Sequence, residues 1–193
     1  YRTPTATPLD YAMTQNNLGT AYADLAGVEE WVGNLRNALV AYKEALKFYT
    51  PAAAPLAYAT TQNNLGLAYA DLAQVEDAED RAENLYRATS AYDEALKYRT
   101  PTSAPLDYAK TQANLGLALE DSGDLSAALA CWREAEAYFR RMDMIEYADR
   151  VRGWITDAES QFNMPPSAPP SAPPSAPSKE RRNLWDRLFG RKT

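Results

Sequence analysis

"YATTQNNLG" at residues 58–66 decides the fold, because the chain returns to it twice: "YAMTQNNLG" stands at 11–19 and "YAKTQANLG" at 108–116. From Thr14 to Thr61 is 47 residues and from Thr61 to Thr111 is 50, periods that belong to stacked helical units rather than to a single closed domain. The second half of each unit recurs as well. "ALVAYKEALKFYTP" (38–51) answers "ATSAYDEALKYRTP" (88–101), and "AALACWREAEAYFR" (127–140) is a looser third copy. Asparagine costs a helix interior up to about 0.7 kcal/mol relative to alanine, so its return in every copy needs a cause.

Leucine and glycine in the first half of each unit, followed by small and aromatic residues at helical spacing in the second, resemble the tetratricopeptide repeat. Leu115, Gly116, Leu119, Gly123, Ala128, Trp132 and Ala135 carry the resemblance in the third unit. Leu18, Gly19, Tyr22, Ala38, Tyr42 and Ala45 carry it in the first, and Leu65, Gly66, Tyr69, Ala88, Tyr92 and Ala95 in the second. The resemblance covers residues 8–141 and implies an all-α, right-handed α-solenoid of helix-turn-helix repeats. Two departures stand out. Gln15, Gln62 and Gln112 occupy the position where that family usually has tryptophan, with Tyr11, Tyr58 and Tyr108 one turn earlier to supply bulk. From the first-helix leucine to the second-helix alanine the spacing is 13 residues in unit 3 but 20 in unit 1 and 23 in unit 2. An apolar rhythm running from Val28 through Val32, Leu35, Leu39 and Tyr42, and from Val75 through Ala78, Ala82, Leu85 and Tyr92, predicts that the extra residues lengthen the second helices at their N-terminal ends. Trp31 on that extension is expected to seal an overhang.

The organisation read from the sequence is therefore residues 1–7 as the end of a preceding, truncated repeat, then repeats at 8–50, 51–100 and 101–142. A capping helix follows at 143–162, a Pro/Ser/Ala-rich linker at 163–178 and a basic amphipathic motif at 179–193. "YRTPTATPLDYA" (1–12) matches "YRTPTSAPLDYA" (98–109) at ten of twelve positions, which is why the chain reads as cut inside a longer array. Pro8, Pro55 and Pro105 open the units at a position where a missing N–H does no harm. Asp143 and Glu146 start the capping helix, and Ile145, Ala148, Val151, Ile155, Ala158 and Phe162 give it one apolar face, needed because a last repeat has no neighbour to cover it.

Asparagine and aspartate seven residues apart lie two turns apart on one helix face. Asn17 with Asp24, Asn64 with Asp71 and Asn114 with Asp121 form one stripe per unit, with Thr20, Leu67 and Leu117 between them. Two readings compete: the amides hydrogen-bond within the array, or they face a ligand. An amide carries both a donor and an acceptor and can pair with any extended backbone. The resemblance implies the same use, since some arrays of that family, such as those of kinesin light chains and O-linked N-acetylglucosamine transferase, line their groove with an asparagine ladder. Asp24 and Asp71 lie in a last helical turn, where negative charge is unfavourable by roughly 0.3–1 kcal/mol. The expected partner is a protein or peptide that is extended and basic or neutral.

The net charge of −6 conceals an asymmetry: from Lys179 onward six basic and two acidic residues give +4, leaving −10 for residues 1–178. An acidic body argues against a nucleic-acid partner. Residues 165–178, "PPSAPPSAPPSAPS", predict a disordered, polyproline-type spacer of up to about 43 Å at 3.1 Å per residue. Beyond it Leu184, Trp185, Leu188 and Phe189 share a face flanked by Arg181, Arg182 and Arg187, a pattern suited to an anionic membrane surface, to a groove on a partner, or to the acidic groove of its own array.

Catalytic and metal chemistry find no foothold. The chain has no histidine, the commonest general base and metal ligand. The acidic run "EDAEDRAE" (76–83) lacks the alternating ligands and glycine of a calcium loop, no glycine-rich phosphate loop occurs, and no cofactor is implied. Cys131 is a lone thiol beside Trp132, expected to be buried and inert. A single cysteine and no long apolar run point to the cytoplasm, with peripheral membrane association through the tail. The expected function is a non-enzymatic interaction scaffold; the alternatives are the regulatory or sensor arm of a larger enzyme with its catalytic domain upstream, or a membrane-tethered adaptor.

Overall fold

The computed structural model describes residues 3–75 and 78–162, except for the side chains of 78, 79, 161 and 162. Seven α-helices follow one another, with no strand among the described residues: α1 (Pro8–Ala26), α2 (Trp31–Ala45), α3 (Pro55–Leu72), α4 (Ala78–Leu96), α5 (Pro105–Asp121), α6 (Leu125–Arg141) and α7 (Ile145–Phe162). The chain is all-α, with a repeat-like arrangement: α1/α2, α3/α4 and α5/α6 pair as hairpins, each hairpin packs on the next, and α7 packs on α6.

Each hairpin is closed by the same close approach. In the first helix a glycine leaves its backbone bare, and the aromatic ring of the second helix lies against it. A Cβ built on Gly19 would come within 2.5 Å of the Tyr42 ring, one on Gly66 within 2.8 Å of Tyr92, and one on Gly116 within 2.3 Å of Trp132. Both helices supply small residues, and Ala12, Ala38, Ala45, Ala59, Ala88 and Ala95 are wholly buried. At the open end of each hairpin Tyr11, Tyr58 and Tyr108 meet Phe48, Tyr98 and Tyr138 edge to face. Their hydroxyls donate to Glu44, Glu94 and Glu134 at 3.4, 3.1 and 3.0 Å. Gln62 and Gln112 donate to Tyr58 and Tyr108, so the glutamine and the tyrosine one turn earlier act as a pair.

The joints between hairpins also repeat. Thr50 and Thr100 each accept from the backbone N–H three residues on, at Ala53 and Ser103, and each is followed within five residues by a helix opening on proline. Residues 3–7 make the same turn, with Thr3 Oγ1 accepting from the Ala6 N–H at 3.1 Å.

The extra residues of units 1 and 2 follow the expectation in part. Relative to unit 3, the seven extra residues of unit 1 divide into two at the end of α1, one in the turn and four at the start of α2. In unit 2 the ten divide into one, two and seven. Both helices of a pair therefore gain residues on the side of the turn, the second one more, although α2 ends early and at 15 residues is shorter overall than the 17-residue α6. Val28 and Val75, which continue the apolar rhythm, lie in the turns, and Val28 is 83% exposed. Glu30 breaks the chain there with φ of 43°, and Trp31 begins α2 partly exposed.

Two cores result. One joins the first two hairpins through Leu35, Leu39, Tyr42, Leu65, Leu72 and Tyr92, and reaches Leu115 of the third. The other joins α5, α6 and α7. Along α7, Ala148, Val151, Ile155 and Ala158 are buried as the pattern predicts, and so is Trp154, which lies 5.8 Å from the Trp132 ring. Ile145, predicted on this face, is 45% exposed at the helix start. The buried Glu136 accepts from both Arg140 and Arg152, at 2.9 and 3.0 Å, tying α6 to α7.

Candidate functional site

The first helices carry two asparagines in tandem, and the structure divides their labour. Asn16 reaches the next hairpin: Thr61 Oγ1 lies 3.0 Å from its Oδ1 and shares its proton between that atom and the Ala57 carbonyl. Asn63 repeats this with Thr111 at 3.1 Å. Thr61 and Thr111 are wholly buried, and Thr111 also accepts from Arg99 Nη1 at 2.9 Å. Arg99 donates through Nη2 to Thr60 as well, and burial pushes its guanidinium below the usual arginine range, with the Asp107 charge opposing the shift. The first asparagine of each pair thus staples one repeat to the next.

In the third unit the position falls to Ala113, which is buried in the core shared with α7. The pattern reads directly in the sequence: the copy that loses its first asparagine is the last, with no following threonine to meet. That signal was available and points to Asn16, Asn63, Thr61 and Thr111, none of which belongs to the predicted stripe.

The second asparagines are differently placed. Asn17 is exposed and makes no hydrogen bond among the described residues. Asn64 is half-buried, and its Nδ2 lies 3.5 Å from Asn16 Oδ1. Asn114 is buried, with Oδ1 unpaired. Thr20, half-buried, accepts from Tyr42 at 3.3 Å and so belongs to its own hairpin. Leu67 is half-buried against the first core. Leu117 is buried, because α5, α6 and α7 share one core around it. Asp24 is exposed and Asp71 half-buried. The Asp121 side chain is fully covered, with Gln74 Nε2 at 3.1 Å from Oδ2 and the Arg81 guanidinium at 3.9 Å from Oδ1. The stripe is open along α1, partly open along α3 and closed along α5, where Asn114, Leu117 and Asp121 are covered.

The first helices touch one another lightly, α1 on α3 and α3 on α5, and among the described residues any contact of α2 with α4 or of α4 with α6 is slighter still. On the other side a cleft of about 290 Å³ lies between α2, α3 and α4. There Lys43 and Arg87 stand over the Tyr69 ring at 5.4 and 5.6 Å from its centre, with Asp80 and Glu83 beside them, so the charges in the cleft answer one another.

Cys131 is half-buried, and burial, reinforced by Asp93, pushes its thiol up to about 11. No group of three or more potential metal ligands converges among the described residues, and no described helix is long and apolar enough to cross a membrane. Leu184, Trp185, Leu188, Phe189, Arg181, Arg182 and Arg187 lie outside the described residues. Compared with protein-family models, with curated proteins and with solved structures, the chain matches none.

Proposed function

We propose that the chain is a tetratricopeptide-like α-solenoid that serves as a protein-interaction scaffold, taking an extended, basic or neutral peptide along the first-helix face. One observation carries the reading: the two asparagines of each pair do different jobs. Asn16 and Asn63 hold the repeats together, so the array needs no second amide for its own cohesion. Yet a second amide recurs, with Asn17 free of hydrogen bonds and Asn64 holding only one long contact. Light contact between first helices, with slighter contact between second helices among the described residues, is in keeping with a curved stack that has the first helices on its inner side. Asp24 and Asp71 add negative charge there, in helix ends that have no basic residue in the last turn.

The binding face so proposed is narrower than the full stripe. It comprises Asn17 and Asp24 of α1 with Asn64, Leu67 and Asp71 of α3, while Asn114, Leu117 and Asp121 lie in its covered floor. Residues 179–193 would tether the assembly to an acidic surface.

The test is an array of unstructured peptides of graded charge probed with the full chain, followed by anisotropy titration of the best binders. The Asn17→Ala/Asn64→Ala double variant should bind about 5- to 150-fold more weakly, two hydrogen bonds at about 0.5–1.5 kcal/mol each, with helicity unchanged. A face that binds no peptide of any charge, or binds equally well without both amides, ends the proposal.

A further inference from the structure

The side of α1 turned away from α3 is built like an internal repeat junction. Four positions, Thr14, Leu18, Ala21 and Leu25, run along one face at helical spacing. All four are exposed. Their equivalents in α3 are Thr61, Leu65, Ala68 and Leu72, and all four are buried under the preceding hairpin. Leu18 is 42% exposed where Leu65 is 8%, and Leu25 is 40% exposed where Leu72 is 4%. In α5, Thr111, Leu115 and Ala118 are again buried. Leu9 does not belong to the face, since its equivalent Leu56 is just as exposed.

A second, independent feature points the same way. The turn at residues 3–7 has the hydrogen bonds of the joints that bring the chain from one hairpin into the next: Thr7 N–H donates to the Thr3 carbonyl at 3.1 Å, as Ala54 does to Thr50 and Ala104 to Thr100. In the sequence, Tyr1-Arg2-Thr3-Pro4 repeats Tyr98-Arg99-Thr100-Pro101, and Arg99 is the residue that bonds Thr111 from within such a joint.

We infer that the Thr14–Leu18–Ala21–Leu25 face is a docking surface for a further helical hairpin of this same repeat, entering through residues 3–7. Its chemistry is specified by the two junctions already present. It places a carboxamide, in the position of Asn16 and Asn63, opposite the Thr14 hydroxyl. It covers Leu18 and Leu25 with an aliphatic surface like that of Leu35 and Leu39.

The inference is independent of peptide binding and is tested by stability alone. A copy of residues 55–97 is fused ahead of Tyr1 in the full chain, so that the copied lysine runs into Tyr-Arg-Thr-Pro as Lys97 does. Leu18→Asp is then made in both chains, with Leu65→Asp in the parent as the reference for a buried site. Docking predicts that Leu18→Asp moves the parent's Tm by no more than about 2 °C and lowers that of the extended chain by about 5 °C or more. If the extended variant does not fold, Leu18→Ala is read instead, with the same ordering. Amide exchange along α1 should also slow at least about tenfold on extension. Equal effects of the substitution in both chains would overturn the inference. So would light scattering that shows the parent to be a dimer dispersed by Leu18→Asp, because the face would then belong to a second copy.

Discussion

Replacing Gly116 by alanine should destabilise the protein even though alanine is the better helix former. In an unhindered helix interior the exchange gains about 1 kcal/mol. Here the new Cβ would stand 2.3 Å from Trp132 Nε1, 2.5 Å from Cδ1 and 3.0 Å from Cε2. Ordinary contact begins near 3.4 Å, so the indole must retreat by about 1 Å. It has nowhere to go, being wholly buried with Trp154 close by. Overpacking of this kind costs about 1–3 kcal/mol. Retreat also pulls Nε1 from the Ala113 carbonyl, 3.2 Å away, leaving a buried donor unpaired at a further 1–3 kcal/mol or so. After the propensity gain the net loss is about 1–5 kcal/mol, a fall in Tm of roughly 2–20 °C for a chain of this size. Gly153, in α7 with nothing within 4 Å of a built Cβ, is the internal control: Gly153→Ala should raise Tm by about 2–4 °C. Thermal unfolding followed by far-UV circular dichroism measures both. If Gly116→Ala is as stabilising as Gly153→Ala, glycine does not owe its place in the repeat to the ring pressed against it.

Three further outcomes are expected. In a double-mutant cycle of Asn63→Ala and Thr111→Val, urea unfolding should give a coupling of about 1 kcal/mol; additivity within about 0.3 kcal/mol would show that the staple contributes nothing. Ala113→Asn should cost about 2 kcal/mol or more, since it buries an amide among apolar residues of α6 and α7, and a neutral result would mean that this site tolerates the polar group. Cys131 titrates near 11 when folded against an ordinary 9, so at pH 8 it should react with iodoacetamide about a hundredfold more slowly folded than in urea. The same shift makes its contribution to stability complete below pH 9 and lost progressively as pH rises to 11, because the unfolded thiol ionises first. Equal alkylation rates in buffer and urea would place the thiol in solvent.

What the sequence made legible was whatever depends on spacing within one hairpin. Gly19, Gly66 and Gly116 each face an aromatic ring of the second helix, although 23, 26 and 16 residues separate them along the chain, because a bare backbone and a flat ring must meet, and that requirement writes itself into residue type. The helix starts at Pro8, Pro55 and Pro105 were equally plain. Less legible was the turn at 27–30, since Val28 keeps the apolar rhythm while the chain leaves the helix, and the residue with positive φ there is glutamate rather than glycine. The division between Asn16 and Asn17 could not be read from one helix, because which of two adjacent amides meets Thr61 is set by how the hairpins are rotated on one another. The covering of Asn114 and Leu117 likewise depends on tertiary packing at the α7 end, as does the burial of Trp154, whose place between Val151 and Ile155 was passed over.

The asparagine-to-threonine staple has a sense of direction. Asn16 and Asn63 offer an amide to the hairpin that follows, and Thr61 and Thr111 a hydroxyl to the one before, so a junction of this kind joins hairpins head to tail and not back to back. At Ala113 the amide is withheld, and the string is sealed at that end by a single methyl group. An ancestral unit copied by duplication could therefore lengthen the protein freely from the α1 side, while growth past α6 would demand both a new asparagine and the eviction of α7.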